Sequence, residues 1–211
     1  MKLLLENWRK FINEQQVFRP DRVGLYLFDF DDTLAVTSCR LNVIYKDGRV
    51  EPLATGEFEQ RRAELEKAES EGEISFDEFC HLGEEDEFEY LPAMADFKDV
   101  LNNVMKQGSF MKNEVAILTA RQPQVEVPIK NKLEKDQGIP GASYRVYGVE
   151  GGGPQKARKV VELLNAGNYD FVYFADDSQD NLDAVSRVVA DYGIEYQPVL
   201  VAHGGLHGTA I

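Results

Sequence analysis

The sequence predicts an α/β fold: a doubly wound, mainly parallel sheet with helices on both faces and a small insertion after the first strand. Three observations carry that expectation. Short apolar runs at residues 25–28, 115–118, 144–147 and 171–174 alternate with stretches whose apolar residues recur at helical spacing, the pattern of a parallel sheet covered on both sides. Three of these runs stop at polar residues: Asp29 and Asp31, then Thr119, then Asp176 and Asp177. Ligands of such sheets bind beyond the C-terminal strand ends, so these stops are placed to share one site.

Taken in order, Leu4, Trp8 and Phe11 with Leu5 and Ile12 space as a short amphipathic helix. Pro20 and Gly24 mark the approach to the first strand. Beyond Thr33, residues 41–45 and 49–53 flank Lys46-Asp47-Gly48, where Asp-Gly supplies the positive φ of a hairpin turn. Residues 59–71 interleave Glu with Lys and Arg and read as an exposed helix closed by Gly72. Ile74, Phe76, Phe79 and Leu82 form a small apolar cluster before an acidic run at 84–87. Residues 35–90 are too short for a large core and read as an insertion into one domain spanning 1–211.

After Pro92, one helix carries Met94, Phe97, Val100, Leu101, Val104 and Met105 on its apolar side. A second runs through 127–135, a third through 160–164 and a fourth through 181–190. The loop 148–154 reads as flexible, a last strand is placed at 198–202, and 203–211 reads as a flexible tail.

Hydrophobic residues at 43% and charged ones at 28% describe an ordinary globular protein. A net charge of -14 argues against an extended nucleic-acid surface, because a phosphate backbone would be repelled. No stretch approaches a membrane span. Cys39 and Cys80 lack metal-type spacing and read as reduced thiols of a cytoplasmic protein.

Asp29 and Asp31 leave one strand on the same face, since side chains alternate. Carboxylates converging there make a hard, all-oxygen site suited to Mg²⁺, which favours few carboxylates, water and a phosphate oxygen. A phosphate ester is therefore the expected substrate. Thr119 and Lys156 can donate to phosphoryl oxygens. One carboxylate can attack phosphorus while its neighbour two residues on moves the proton.

The segments Asp29-Phe30-Asp31-Asp32-Thr33, Thr119, Lys156 and 176–180 resemble, in order, the four motifs of the haloacid dehalogenase superfamily of phosphohydrolases. The resemblance spans about 25–181. It implies a Rossmann-like fold and Asp29 as the nucleophile that forms an aspartyl-phosphate. It further implies Asp31 as general acid and base, Thr119 and Lys156 as phosphoryl stabilisers, and Asp176 as a Mg²⁺ ligand beside Asp29 and the Asp31 carbonyl. Asp177 and Asp180 contend for the second acid of the fourth motif. The insertion falls where this superfamily places a cap, and its small size favours bulkier phosphoesters such as nucleotides, nucleic-acid ends or a phosphoprotein. More loosely, the chain is similar to uncharacterised HAD-like proteins of bacteriophages. The alternatives are a phosphotransferase on the same framework and a non-catalytic phosphate- or protein-binding module.

Other residues have plainer readings. An EF-hand loop is excluded because Arg40 stands where a bidentate Glu is required. Lys159 and Arg158 are substitutes for Lys156. Arg121 either clamps substrate or pairs with an acidic neighbour. Asp32 reads as a solvated turn residue. His81 reads as packing, and glycines oppose a zinc helix at His203 and His207.

Overall fold

The computed structural model describes residues 17–76, 82, 86–106 and 112–202. The expected N-terminal helix, the tail from 203, and Phe79, Cys80 and His81 lie outside these. Five parallel strands form the main sheet in the order β10-β9-β1-β7-β8. They are β1 (Gly24–Phe28), β7 (Glu114–Thr119), β8 (Arg145–Gly148), β9 (Phe171–Asp176) and β10 (Glu195–Leu200).

Alternation along the three central strands divides the core in two. Tyr26, Phe28, Val115, Ile117, Phe171 and Tyr173 face one side, against α2 (Ala93–Lys106) and α3 (Glu126–Gln137). Leu25, Leu27, Ala116, Leu118, Val172 and Phe174 face the other, against α4 (Gly153–Ala166) and α5 (Gln179–Tyr192). A strand buried on both faces must be apolar at every position, which is why these runs stand out in the sequence. The chain winds outward from β1 through β7 and β8, then resumes on the other side with β9 and β10. The crevice at that reversal lies beyond the C-terminal ends of β1, β7 and β9.

The insertion carries more structure than a hairpin and a helix. β2 (Ala35–Thr37) and β6 (Phe88–Tyr90) pair antiparallel and form a neck. Ser38 and Glu87 extend it, the Ser38 amide donating to the Glu87 carbonyl at 3.1 Å. Beyond it, β3 (Leu41–Tyr45) pairs with both β4 (Val50–Leu53) and β5 (Ile74–Phe76). Gly48, at φ 85°, makes the expected turn. Val43, Leu53 and Ile74 bury against Leu65 of α1 (Thr55–Ser70), a small core separate from that of the sheet. Phe58 and Ala68 of α1 pack on this core as well, Phe58 edge-on to Phe76 with ring centroids 5.5 Å apart, and the Glu57 carboxylate accepts the Ala54 amide at 2.9 Å where the helix starts.

Several expectations are corrected. The last strand begins at Glu195 rather than 198, because its register is set by pairing with β9, and Pro198 is tolerated on this edge strand. Met105 is exposed, since it sits at a helix position turned from the sheet. The loop 148–154 is pinned: Val149, Glu150 and Gly151 donate their amides to the carbonyls of Thr119, Arg121 and Ala120 at 3.0–3.1 Å. Cys39 is disulfide-bonded and no free thiol is found among the described residues. The chain's other cysteine is Cys80. Leu82 packs in the same extended core cluster as Cys39.

Candidate functional site

Asp29 follows β1 directly, and its amide still donates to the Ala175 carbonyl at 2.8 Å, which locks the two strand ends side by side. A tight turn follows, with the Leu34 and Ala35 amides on the Phe30 carbonyl at 2.9 and 3.0 Å. Asp32 adopts φ 56° in this turn, a left-handed conformation that Asp tolerates better than most residues. It is 7% exposed, so the solvated turn residue read from the sequence is a buried one. Burial follows because the turn folds back over the strand ends.

Asp29, Asp176 and Asp177 each present a carboxylate oxygen within 4.8 Å of the others. Lys156, in the first turn of α4 and 1% exposed, reaches into this group. Its ammonium donates to Asp29 Oδ1 at 2.6 Å and to Asp176 Oδ2 at 2.7 Å. Asp176 is fully buried, and its other oxygen accepts the Ser178 amide and the Asn181 amide group, both at 2.9 Å. The Thr33 hydroxyl donates to Asp177 at 3.4 Å.

Charges this close shift one another. Burial pushes the Asp29 carboxyl well above the usual carboxylate range; Lys156 pulls it back, and Asp176, Asp177 and Asp31 push it higher. Burial works against the Lys156 charge, but Asp29 and Asp176 outweigh it and the ammonium is held charged. The same balance holds Arg121 charged: burial opposes it and Asp31 prevails. The three carboxylate oxygens of Asp29, Asp176 and Asp177, two of them on buried residues, form a hard donor set of the kind a divalent cation takes.

The expected residues fall into four groups. Asp29, Lys156, Asp176 and Asp177 converge as described. Thr119 ends β7 fully buried, its hydroxyl oxygen accepting the Arg121 amide at 3.2 Å. Asp31 stands apart from the three-carboxylate group: both its oxygens are held by Arg121, Nε to Oδ2 at 2.8 Å and Nη2 to Oδ1 at 2.7 Å. Between substrate clamp and acidic partner, the structure gives Arg121 the acidic partner.

Asp180 lies outside the group and is exposed. The helix that starts at Gln179 brings Asn181, not Asp180, to Asp176, so of the two contenders Asp177 is the one that clusters. Lys159 pairs with Glu162 and stacks over Tyr147, so it does not substitute for Lys156. Asn181 and Thr37 are site residues that sequence reasoning passed over, and Thr33 carried no role there beyond closing the segment from Asp29. Only the polar run after β9 marked Asn181, and nothing local marked Thr37.

No protein-family model matches the chain, and no curated protein does. Among solved structures the chain is similar to a crystal structure of the Legionella pneumophila effector Ceg4 with an N-terminal yeast Hog1p sequence. The two share 17% identity and a TM-score of 0.47 over 87% of this chain and 89% of that one. A likeness that slight carries no conclusion about fold or chemistry. No helix among the described residues is long and apolar enough to cross a membrane.

Proposed function

We propose that the chain is a divalent-metal-dependent phosphomonoester hydrolase of the haloacid dehalogenase type. The observation that carries this reading is the buried lysine bridging Asp29 and Asp176 beside Asp177, at the sheet edge where ligands bind. Asp29, Asp176 and Asp177 would hold Mg²⁺, with the Asp31 carbonyl the further ligand that the resemblance implies. Bound there, the ion would neutralise charge on phosphoryl oxygens.

The remaining steps belong to the chain's own groups. An Asp29 oxygen attacks phosphorus, the bond from phosphorus to the leaving oxygen breaks, and Asp31 in its acid form gives that oxygen its proton. Asp31, now a carboxylate, takes a proton from water as the water oxygen attacks the aspartyl-phosphate. The bond from phosphorus to Asp29 breaks, freeing inorganic phosphate and restoring both carboxyl groups. Lys156 and the Thr119 hydroxyl serve the charge on the transferring group.

Nucleotides and nucleic-acid ends remain the substrates to try first, although the insertion, with a core of its own, is a fuller cap than the preference for bulky esters assumed. The proposal keeps the cytoplasmic location expected from the sequence. The Cys39 disulfide is the observation against it, since reducing compartments keep thiols free.

The test is phosphate release from an aryl phosphate, from nucleotides and from 3′- or 5′-phosphorylated oligonucleotides, with Mg²⁺ and with EDTA, for the wild type and Asp29→Asn. Release that needs the metal and vanishes in Asp29→Asn supports the reading. Transfer of the phosphoryl group to an added alcohol in preference to water would make it a phosphotransferase. Metal binding with no release from any substrate would make it a binding module.

A further inference from the structure

Arg121 is the largest fully buried side chain among the described residues, and its position needs explaining. A guanidinium carries five N–H donors and cannot shed its charge, so burying it is costly unless those donors are met. A lysine or a surface arginine would have balanced the charge of Asp31 at lower cost.

The geometry shows what the buried fork does. Nε and Nη2 grip the two Asp31 oxygens at 2.8 and 2.7 Å, a fork-to-fork pairing that fixes both the position of the carboxylate and the rotation of its plane. Nη2 also donates to the Thr37 hydroxyl at 3.2 Å, and Nη1 lies 3.8 Å from Cys39 Sγ. The arginine side chain is 2% exposed and that of Asp31 is 15%, so the guanidinium stands behind the carboxylate and the carboxylate faces outward. Each carboxylate oxygen has two lone-pair sites and the fork occupies one on each, which leaves the outer edge of Asp31 for a proton. A substrate clamp would show the opposite order, with the guanidinium in front and a donor edge turned to the ligand.

Thr37 and Cys39 give the pairing a second meaning. Thr37 ends β2, one of the two neck strands through which the insertion joins the sheet domain, and Cys39 follows two residues later. One guanidinium therefore touches both the residue cast as acid and base and the stalk of the cap. Ninety residues separate Arg121 from Asp31 and 84 separate it from Thr37, so the contact is built by the fold and is not a local accident.

We infer that Arg121 is a positioning residue: it holds the Asp31 carboxylate in its working orientation and, through Thr37, ties that orientation to the neck of the insertion. This rests on the hydrolase reading above. A shift of the neck would draw on the same guanidinium that aims Asp31, which makes cap placement and proton transfer one mechanical unit.

The experiment compares an aryl phosphate, whose leaving group departs without a proton, with a simple alkyl phosphate, whose leaving group requires one. It uses the wild type, Arg121→Gln, Arg121→Lys, Thr37→Val, Asp31→Asn and the double variant Asp31→Asn with Arg121→Gln. Arg121→Gln is expected to lower kcat on the alkyl ester by about 10²-fold, the scale of general acid catalysis. Its loss on the aryl ester is expected to be several-fold smaller, with KM and inhibition by inorganic phosphate within twofold of wild type. Arg121→Lys recovers little, because an ammonium cannot grip two oxygens in one plane. Thr37→Val shows the same leaving-group bias at about 3- to 10-fold, the worth of one hydrogen bond.

The double variant is expected to lose no more than Asp31→Asn alone, since Arg121 acts through Asp31. Weakened phosphate inhibition and equal losses on both esters would make Arg121 a substrate clamp and overturn the inference. Additive losses in the double variant would overturn it as well. A Thr37→Val protein identical to wild type would remove the tie to the neck, and it decides that point even if Arg121→Gln fails to fold. Absence of release by the wild type on either ester is a different result, and it overturns the hydrolase reading on which the role depends.

Discussion

The two edges of the central sheet both carry polar residues, yet they are built on opposite principles. At the N-terminal edge, Asn113, Asp170 and Glu114 each accept from a backbone amide or a hydroxyl. Asn113 accepts the Gly24 amide at 2.6 Å, Asp170 accepts the Val23 amide at 2.9 Å, and Glu114 accepts the hydroxyls of Tyr147 and Tyr169 at 2.7 and 2.9 Å. Asp170 and Glu114 thus meet neutral donors, and Glu195, which opens β10, is balanced by Arg22 and Arg19 at 3.1 and 3.7 Å. At the C-terminal edge, Asp29, Asp176 and Asp177 crowd one another, with the Lys156 ammonium shared between the first two. Polar residues at strand ends are thus no mark of function by themselves. Carboxylates crowded together in a buried place are a better mark, because like charges repel unless a cation or a proton stands between them.

The sharpest way to break this comparison is to make the same isosteric change at both edges. On the proposed hydrolase reading, Asp29→Asn is expected to lower phosphate release by at least about 10³-fold, as losses of a nucleophile or its equivalent do. Glu114→Gln is expected to leave release within twofold of wild type. A phosphate-release assay on both proteins at one Mg²⁺ concentration decides it, and equal losses would dissolve the distinction.

Lys156→Met should have the next largest effect, on stability as well as turnover. Removing one partner from a buried ion-pair network costs about 3–5 kcal/mol, since Asp29 and Asp176 would then face each other with no cation between them. In a chain of this size each kcal/mol moves Tm by about 2–4 °C. The fall is read by thermal denaturation in EDTA, and Mg²⁺ should restore part of it by supplying the missing charge. A Tm unchanged by the substitution would mean the lysine is not structurally coupled to the carboxylates.

The pH dependence follows from Asp29. Its carboxyl is pushed above the usual range by burial first and by the neighbouring carboxylates next, with Lys156 opposing. A group whose folded-state pKa is raised binds more protons folded than unfolded, so its contribution to stability falls as pH rises from the usual Asp range, about 4, through the folded value. In EDTA, Tm should therefore decline over that window. With saturating Mg²⁺ the decline should flatten, because the ion takes the place of the proton. The control at the other edge is Glu114→Gln, which should keep the wild-type slope; loss of the slope in that variant would place its origin at the wrong edge.

Much of this was legible in the sequence because burial on both faces leaves an unmistakable run, as at Leu25 to Phe28 and Val172 to Phe174. The helices on each face could be read from their spacing for the same reason. The neck could not: β2 and β6 are three residues each and pair across some fifty residues, so neither has a pattern of its own. Nor could the choice between Asp177 and Asp180, which depends on where the turn after β9 hands over to α5. The Arg121 and Asp31 pairing and the Cys39 disulfide are contacts between distant segments, and local pattern is silent on those. What the sequence does mark is the end of each strand, and most of the site is built from those ends.

The smallest effect belongs to the quiet edge. Tyr169→Phe removes one of the two hydroxyls on Glu114, and the other, from Tyr147, still satisfies one carboxylate oxygen. One hydrogen bond to a half-buried carboxylate is worth about 1 kcal/mol, so Tm should fall by about 2–4 °C. Phosphate release measured below that Tm should not change. The value of the measurement lies in its asymmetry with Lys156→Met. Both variants take a donor from a carboxylate at a strand end, but only one leaves uncompensated charge behind, and only that one should respond to Mg²⁺. If Tyr169→Phe were also rescued by the ion, the ion would be acting on the protein at large, and the crowded carboxylates at the C-terminal edge would no longer distinguish it as a site.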